Sequence, residues 1–193
     1  MSKKDNNKMM LRDVYPSPGC SFGEFKIHSL LNMGEFGAVY RARRNGRDCA
    51  LKVLRPDRLT DDRVFLEPFC REMDVLGAVQ AGRRQRDDIV KYYSGGTQNG
   101  IPYIELECLD GSSRSEVIAH TAHGKRWSVR VLLEHMRSIG LALQTVHALG
   151  IVHRDVNPSN IFVVGWTPER PHVERLVLLD FGDAWAPKNI TPL

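Results

Sequence analysis

The chain has 193 residues, of which 42% are hydrophobic, enough to bury a good core as one compact unit. Lys and Arg (27) exceed Asp and Glu (23) by only four, and no aromatic interleaving of a base-stacking kind accompanies the arginines, so no nucleic acid is expected. No apolar run approaches membrane-spanning length, and Cys20, Cys49, Cys70 and Cys108 are too widely separated for a CxxC pair, which makes reduced thiols in a cytoplasmic protein the expectation.

Residues 1–20 are polar, with Pro16, Pro18 and Gly19 near their end, and read as a flexible leader without the apolar core of a signal peptide. Leu31-Asn32-Met33-Gly34-Glu35-Phe36-Gly37-Ala38-Val39-Tyr40 follows, a run with two spaced glycines that leave backbone uncovered. Asn45-Gly46 favours a type I′ hairpin into Cys49-Ala50-Leu51-Lys52-Val53, an apolar strand carrying one lysine. Phe65, Phe69, Met73, Leu76 and Val79 then recur at helical spacing, with Glu72 on the same side as Leu76 and Pro68 placing Glu67 near the helix start. The arginines at 41–47 and 83–86 read as solvated loop residues. Residues 88–93 and 101–107 read as two strands joined by a Gly-rich turn, and Cys108-Leu109-Asp110-Gly111 leads out of the second. Val129, Leu132, Leu133, Met136, Ile139, Leu143 and Val146 mark a helix over 128–149 that Gly150 ends. Two short apolar strands, 161–164 and 176–179, flank a Pro-containing loop.

His153-Arg154-Asp155-Val156-Asn157-Pro158-Ser159-Asn160, followed by Asp180-Phe181-Gly182, resembles the catalytic loop and metal loop of Hanks-type serine/threonine protein kinases. With the glycine run, strand lysine and helix glutamate in the family's order, the resemblance covers residues 22–185. It implies an α+β, protein-kinase-like fold: a β-rich N-terminal lobe over 21–107 and the first part of a helical C-terminal lobe over 108–193. It also implies ATP and Mg²⁺ as cofactors. Gly34 and Gly37 would cover the phosphates. Asn32 stands where the family has its first glycine, and asparagine is the non-glycine residue that best accepts a positive φ. Lys52, held by Glu72 with Glu67 as the competitor, would place the α- and β-phosphates. The backbone of Glu107 and Leu109 would bond adenine, with Leu106 as gatekeeper and Leu31, Val39, Ala50 and Phe162 as apolar walls. Asp155 would accept the proton of the attacking hydroxyl, and Asn160 and Asp180 are oxygen donors suited to Mg²⁺. His153 and Phe181 would pack and not react.

Two departures matter. Serine/threonine kinases usually carry a lysine where this chain has Asn157, and an amide cannot neutralise charge on a transferring phosphate. A lower rate is therefore expected, and a lysine restored there is expected to raise it. No Ala-Pro-Glu motif follows residue 182, so the peptide-docking helices are expected to be missing from this chain, and the substrate protein is unknown. The helix at 128–149 should then expose an apolar face, open to a protein partner or to self-association. Three functions remain open at this point: a partial serine/threonine kinase domain, a nucleotide-binding pseudokinase acting by contact alone, and a small-molecule kinase. Asp180-Phe181-Gly182 and Arg154 favour the protein kinase over the last.

Overall fold

The computed structural model describes residues 16–34, 37–55, 63–82, 86–121 and 127–187. Most of the expected leader, residues 1–15, and Glu35, Phe36, Arg83 and Arg84 lie outside this set. The chain forms two compact units. One takes the chain up to Cys70 together with Tyr92–Cys108, and the other takes Arg71–Lys91 and everything from Leu109 onward. Residues 71–91, expected within the 21–107 lobe, thus cluster with the second unit. The division falls inside helix α1 (Arg63–Ala81).

The first unit is an antiparallel sheet of β1 (Ser21–Phe22), β2 (Phe25–Met33), β3 (Gly37–Arg44), β4 (Arg47–Leu54), β5 (Tyr92–Gln98) and β6 (Ile101–Glu107). Their spatial order is β1-β2-β3-β4-β6-β5. Strand alternation sorts the side chains: Phe25, Ile27, Ala38, Tyr40, Ala42, Cys49, Leu51 and Val53 form one buried cluster. Val39, Ala50 and Lys52 therefore share the opposite face. The Asn45–Gly46 turn forms as the dipeptide predicts, with Asn45 at φ 51° and Gly46 at 79°. The turn between β5 and β6 is the second such pair, Asn99 (φ 52°) and Gly100 (φ 79°). The expected Gly-rich turn is corrected accordingly: Gly95 and Gly96 lie within β5, paired with Ile104 and Tyr103.

A second correction concerns residues 88–93. Only Tyr92 and Tyr93 belong to β5. Ile89 instead makes an isolated parallel bridge to Leu178 in the second unit, where Val90 N donates to Leu178 O at 3.1 Å and Leu178 N to Asp88 O at 2.9 Å. The rest of that unit comprises β7 (Gly111–Ser113), α2 (Arg114–Thr121), α3 (Val129–Ala148), β8 (Ile161–Trp166) and β9 (Pro171–Leu178), with the sheet ordered β7-β8-β9. Val117, Ile139, Val163, Trp166 and Leu176 form its core cluster.

Helix α3 matches its apolar period and its caps. The Ser128 side chain accepts from Val131 N at the start. At the end Gly150, at φ 72°, donates to His147 O and Ile151 donates to Val146 O. This double bond pattern is the Schellman stop, which needs the left-handed conformation that glycine adopts without strain. The helix buries Ile139, Ala142 and Val146 but leaves Val129 72% and Met136 71% exposed, with Leu133 also on the surface. The first half of α3 thus carries the expected apolar face.

The first unit also holds a charged cluster that the composition concealed. Glu105 of β6 is only 1% exposed. Arg44 Nη1 donates to its Oε2 at 2.9 Å, Arg47 Nη2 to its Oε1 at 3.0 Å, and Ser94 Oγ to Oε2 at 2.6 Å. Arg44 also pairs with Glu24 at 2.9 Å, and the Arg47 guanidinium lies 3.8 Å from the Tyr93 ring centroid. Arg44 and Arg47, read as solvated, are therefore anchored. Burial alone would push the Glu105 carboxyl up, but hydrogen bonds from Ser94, Arg47 and Arg44 outweigh it and hold the group below the usual carboxylate range. The adjacent Cys49 thiol, buried and near that carboxylate, is pushed up to about 11.

A group with a lowered folded pKa contributes stability above its unfolded value, near ~4.3 for glutamate, and loses it as pH falls through the folded value. Glu105→Gln is accordingly expected to cost about 2 kcal/mol at pH 7, measured by urea unfolding. The gap to the parent should narrow below about pH 4. A gap that stays constant on acidification would show that the carboxylate charge is not what stabilises the sheet.

Candidate functional site

The site residues expected from the sequence are distributed over both units. In the first, β3–β4 pairing sets Val39 opposite Lys52, and β4–β6 pairing sets Ala50 opposite Leu106 and Lys52 opposite Ile104. Val39, Ala50, Lys52, Ile104 and Leu106 thus lie on one face, a lysine among apolar side chains. Ile104 was missed in the sequence, although its place two residues before Leu106 on an alternating strand was the available signal. Glu107 pairs with Cys49, so its side chain points to the other face and only its backbone belongs with the Ala50 side. Leu31 is the extra residue at an irregularity between Leu30 and Asn32 and is exposed. Asn32 does not take the positive φ expected of it; it is extended and pairs with Val39.

The two loop glycines differ in what they require. Gly34 N donates to Gly37 O at 2.9 Å, and among the described residues a Cβ on Gly34 would meet only Gly37 O, at 3.8 Å. A Cβ on Gly37 would lie 2.6 Å from Val53 O, so β3 and β4 could not pair as they do. Gly37 is fixed by sheet packing, whereas Gly34 leaves open backbone.

In the second unit, α1 turns Glu72 inward to 2% exposure, on the stripe shared with Phe69, Leu76 and Val79. Glu67, the competing carboxylate, is exposed. Phe162 of β8 pairs with Ser113 of β7 and is half-buried, as is Leu109.

The catalytic-loop residues gather within this unit around Asp155. The Schellman stop of α3 buries Ile151 and passes the chain to Val152, which exchanges backbone bonds of 2.9 and 2.8 Å with Trp185. His153 is buried. Its Nδ1 accepts from Asp155 N at 3.3 Å, so Nε2 carries the ring proton and donates to Leu179 O at 3.0 Å. The ring also packs on buried Phe181, with centroids 4.6 Å apart. Both residues act as packing groups here. Arg154 and Asp180 have positive φ, 65° and 55°, a strained conformation for such side chains. Each is held by a local bond: Arg154 Nε donates to Asp183 O at 2.6 Å, and Gly182 N donates to Asp180 Oδ1 at 3.2 Å.

Strand pairing brings the cation-type donors together. Ile161 of β8 faces Leu178 of β9, and one step further Leu179 N donates to Asn160 O at 2.8 Å. Asn160 and Asp180 therefore leave adjacent ends of two antiparallel strands. Asn160 Nδ2 donates to Asp155 Oδ2 at 2.8 Å and to Asp155 O at 3.0 Å, which leaves Oδ1 as the ligand end of the amide. An amide oxygen beside a carboxylate fits Mg²⁺, a hard cation that takes few protein oxygens and completes its shell with phosphates and water. Among the described residues no group of three or more His, Cys, Asp or Glu could hold a metal.

The protein kinase domain family model matches residues 25–190. This chain belongs to the protein kinase family. It is 33% identical over 178 residues to the serine/threonine-protein kinase PknD of Mycobacterium tuberculosis, covering 91% of this chain and 24% of that protein. To PknA of the same organism it is 32% identical over 170 residues, covering 85% of this chain and 36% of that protein. The kinase-family chain thus spans from about a quarter to just over a third of the length of these relatives. Among solved structures, the PknI kinase domain of M. tuberculosis aligns with a TM-score of 0.67 at 28% identity, over 87% of this chain and 62% of that one. The fold is the protein-kinase fold.

The two glycines of this kinase chain give a direct contrast. Gly37→Ala is expected to lower stability by about 1–3 kcal/mol, because the obstacle is backbone, while Gly34→Ala should leave the urea midpoint nearly unchanged. Equal losses in both variants would refute the packing assignment of Gly37.

Proposed function

We propose that the chain binds Mg·ATP and forms the catalytic portion of a serine/threonine protein kinase, passing the γ-phosphoryl group to a protein hydroxyl. The observation that carries this reading is the grouping of Asp155, Asn160 and Asp180 by β8–β9 pairing and the Asn160 side chain. In the reaction, the acceptor oxygen bonds to the γ-phosphorus as the bond to the bridging oxygen of ADP breaks. Asp155 orients the acceptor and takes its proton. Lys52 contributes the fixed positive charge for the nucleotide phosphates, and the backbone of Glu107 and Leu109 accepts the adenine. Asn160 and Asp180 would hold a Mg²⁺ ion, which when bound would supply charge neutralisation at the phosphate oxygens. A cytoplasmic location goes with this reading, and the acceptor is an unidentified protein.

A second reading, nucleotide binding without transfer, is favoured by one observation: Asn157 supplies no cation where serine/threonine kinases usually have a lysine. Phosphotransfer that Asp155→Asn abolishes would decide for the first reading.

Isothermal titration with a non-hydrolysable ATP analogue is expected to show binding that strengthens with Mg²⁺. Asp180→Asn should remove most of that metal dependence, an affinity loss of about tenfold or 1.4 kcal/mol, without lowering the metal-independent affinity. Binding that ignores the metal in the folded parent would overturn the assignment of Asn160 and Asp180.

A further inference from the structure

The residue at 157 is bonded on both sides of its amide. Asn157 Oδ1 accepts from Ser159 N at 2.8 Å and from Asn160 N at 3.2 Å, capping the 3₁₀ turn Pro158–Asn160. Asn157 Nδ2 donates to Asp155 Oδ1 at 2.9 Å. These partners settle which end of the amide is which, because two backbone donors demand an oxygen and a carboxylate demands a nitrogen. Asp155 is then bracketed: Asn157 holds Oδ1 and Asn160 holds Oδ2. A carboxylate gripped at both oxygens cannot turn about its last torsion, yet each oxygen keeps a second acceptor site for an incoming hydroxyl.

The geometry points to Asn157 as a positioning residue that aims Asp155, an inference that rests on the kinase reading above. It reverses the expectation from sequence. A lysine at 157 would bring a cation and could still donate to Asp155, but it has no acceptor for Ser159 N and Asn160 N, so the turn that carries Asn160 would lose its cap. An aspartate separates the two halves of the role, since it keeps an oxygen for the cap while losing the donor to Asp155 and setting a like charge beside it.

The test uses the 193-residue chain and its Asn157→Asp, Asn157→Ala and Asn157→Lys variants. Asn157→Asp is expected to lower the thermal midpoint less than Asn157→Ala and to keep the parent's KM for ATP within about twofold, while kcat falls on the order of a hundredfold, the scale for a misaimed catalytic group. Asn157→Ala should lose both kcat and midpoint, and Asn157→Lys should not exceed the parent's kcat. Parent-like kcat in Asn157→Asp, or a higher kcat in Asn157→Lys, would overturn the inference. Absence of Asp155-dependent turnover in the parent would remove the kinetic readout and not the brace, which is read separately by NMR. Asp155→Ala should then shift the Asn157 side-chain amide pair while leaving Ser159 N–H protected from exchange. An unmoved Asn157 amide would show that the brace does not form.

Discussion

The bond from Leu179 N to Asn160 O extends β8–β9 pairing by one step beyond the sheet, and the proposed chemistry of this chain depends on it. On one side of that step lies the end of the catalytic loop, and on the other the start of the metal loop. His153 fastens the same place from beneath by donating to Leu179 O. Two segments some twenty residues apart in sequence thus share one short stretch of backbone, and the side chains of Asn160 and Asp180 follow from it. Backbone bonds of this sort fix position better than side-chain contacts, because they involve no rotamer freedom.

Around this step the strain is local and so is its relief. Arg154 and Asp180 hold left-handed backbone next to the residues that matter, and each is tied to a carbonyl or amide within the metal loop. Strained residues of this kind persist where their surroundings over-determine them. Neither has the shape freedom of glycine, so the loop is shaped by its bonds.

Much of this was legible in the sequence. The period of Val129 to Val146 gave α3 and its glycine stop, and Asn45-Gly46 gave its hairpin, because each signal is local. What failed depended on competition between distant segments. Ile89 and Val90 look like the start of a strand, but their backbone partner is Leu178. Gly95-Gly96 looks like a turn, but Asn99-Gly100 is the better one, as asparagine accepts positive φ and a turn needs it at both positions. Helix α2 buries only Val117 and offers little period to read; its signal was the reciprocal cap of Ser113 and Glu116, where Ser113 N donates to the glutamate at 2.8 Å and Glu116 N to Ser113 Oγ at 3.3 Å. Asn157 was read as a lysine gone missing. Only the folded structure displays what the amide holds.

The Glu105 cluster draws one residue from each of four neighbouring strands: Arg44 at the end of β3, Arg47 at the start of β4, Ser94 in β5 and Glu105 in β6. Its consequence reaches back to how the sheet assembles. A slip of one residue in a strand sends every one of its side chains to the wrong face. Here such a slip would bury a carboxylate with no arginine to meet it, a far larger penalty than a misplaced methyl group. The cluster therefore adds a charge penalty to misaligned pairings and favours the native register beyond what hydrophobic contact alone supplies.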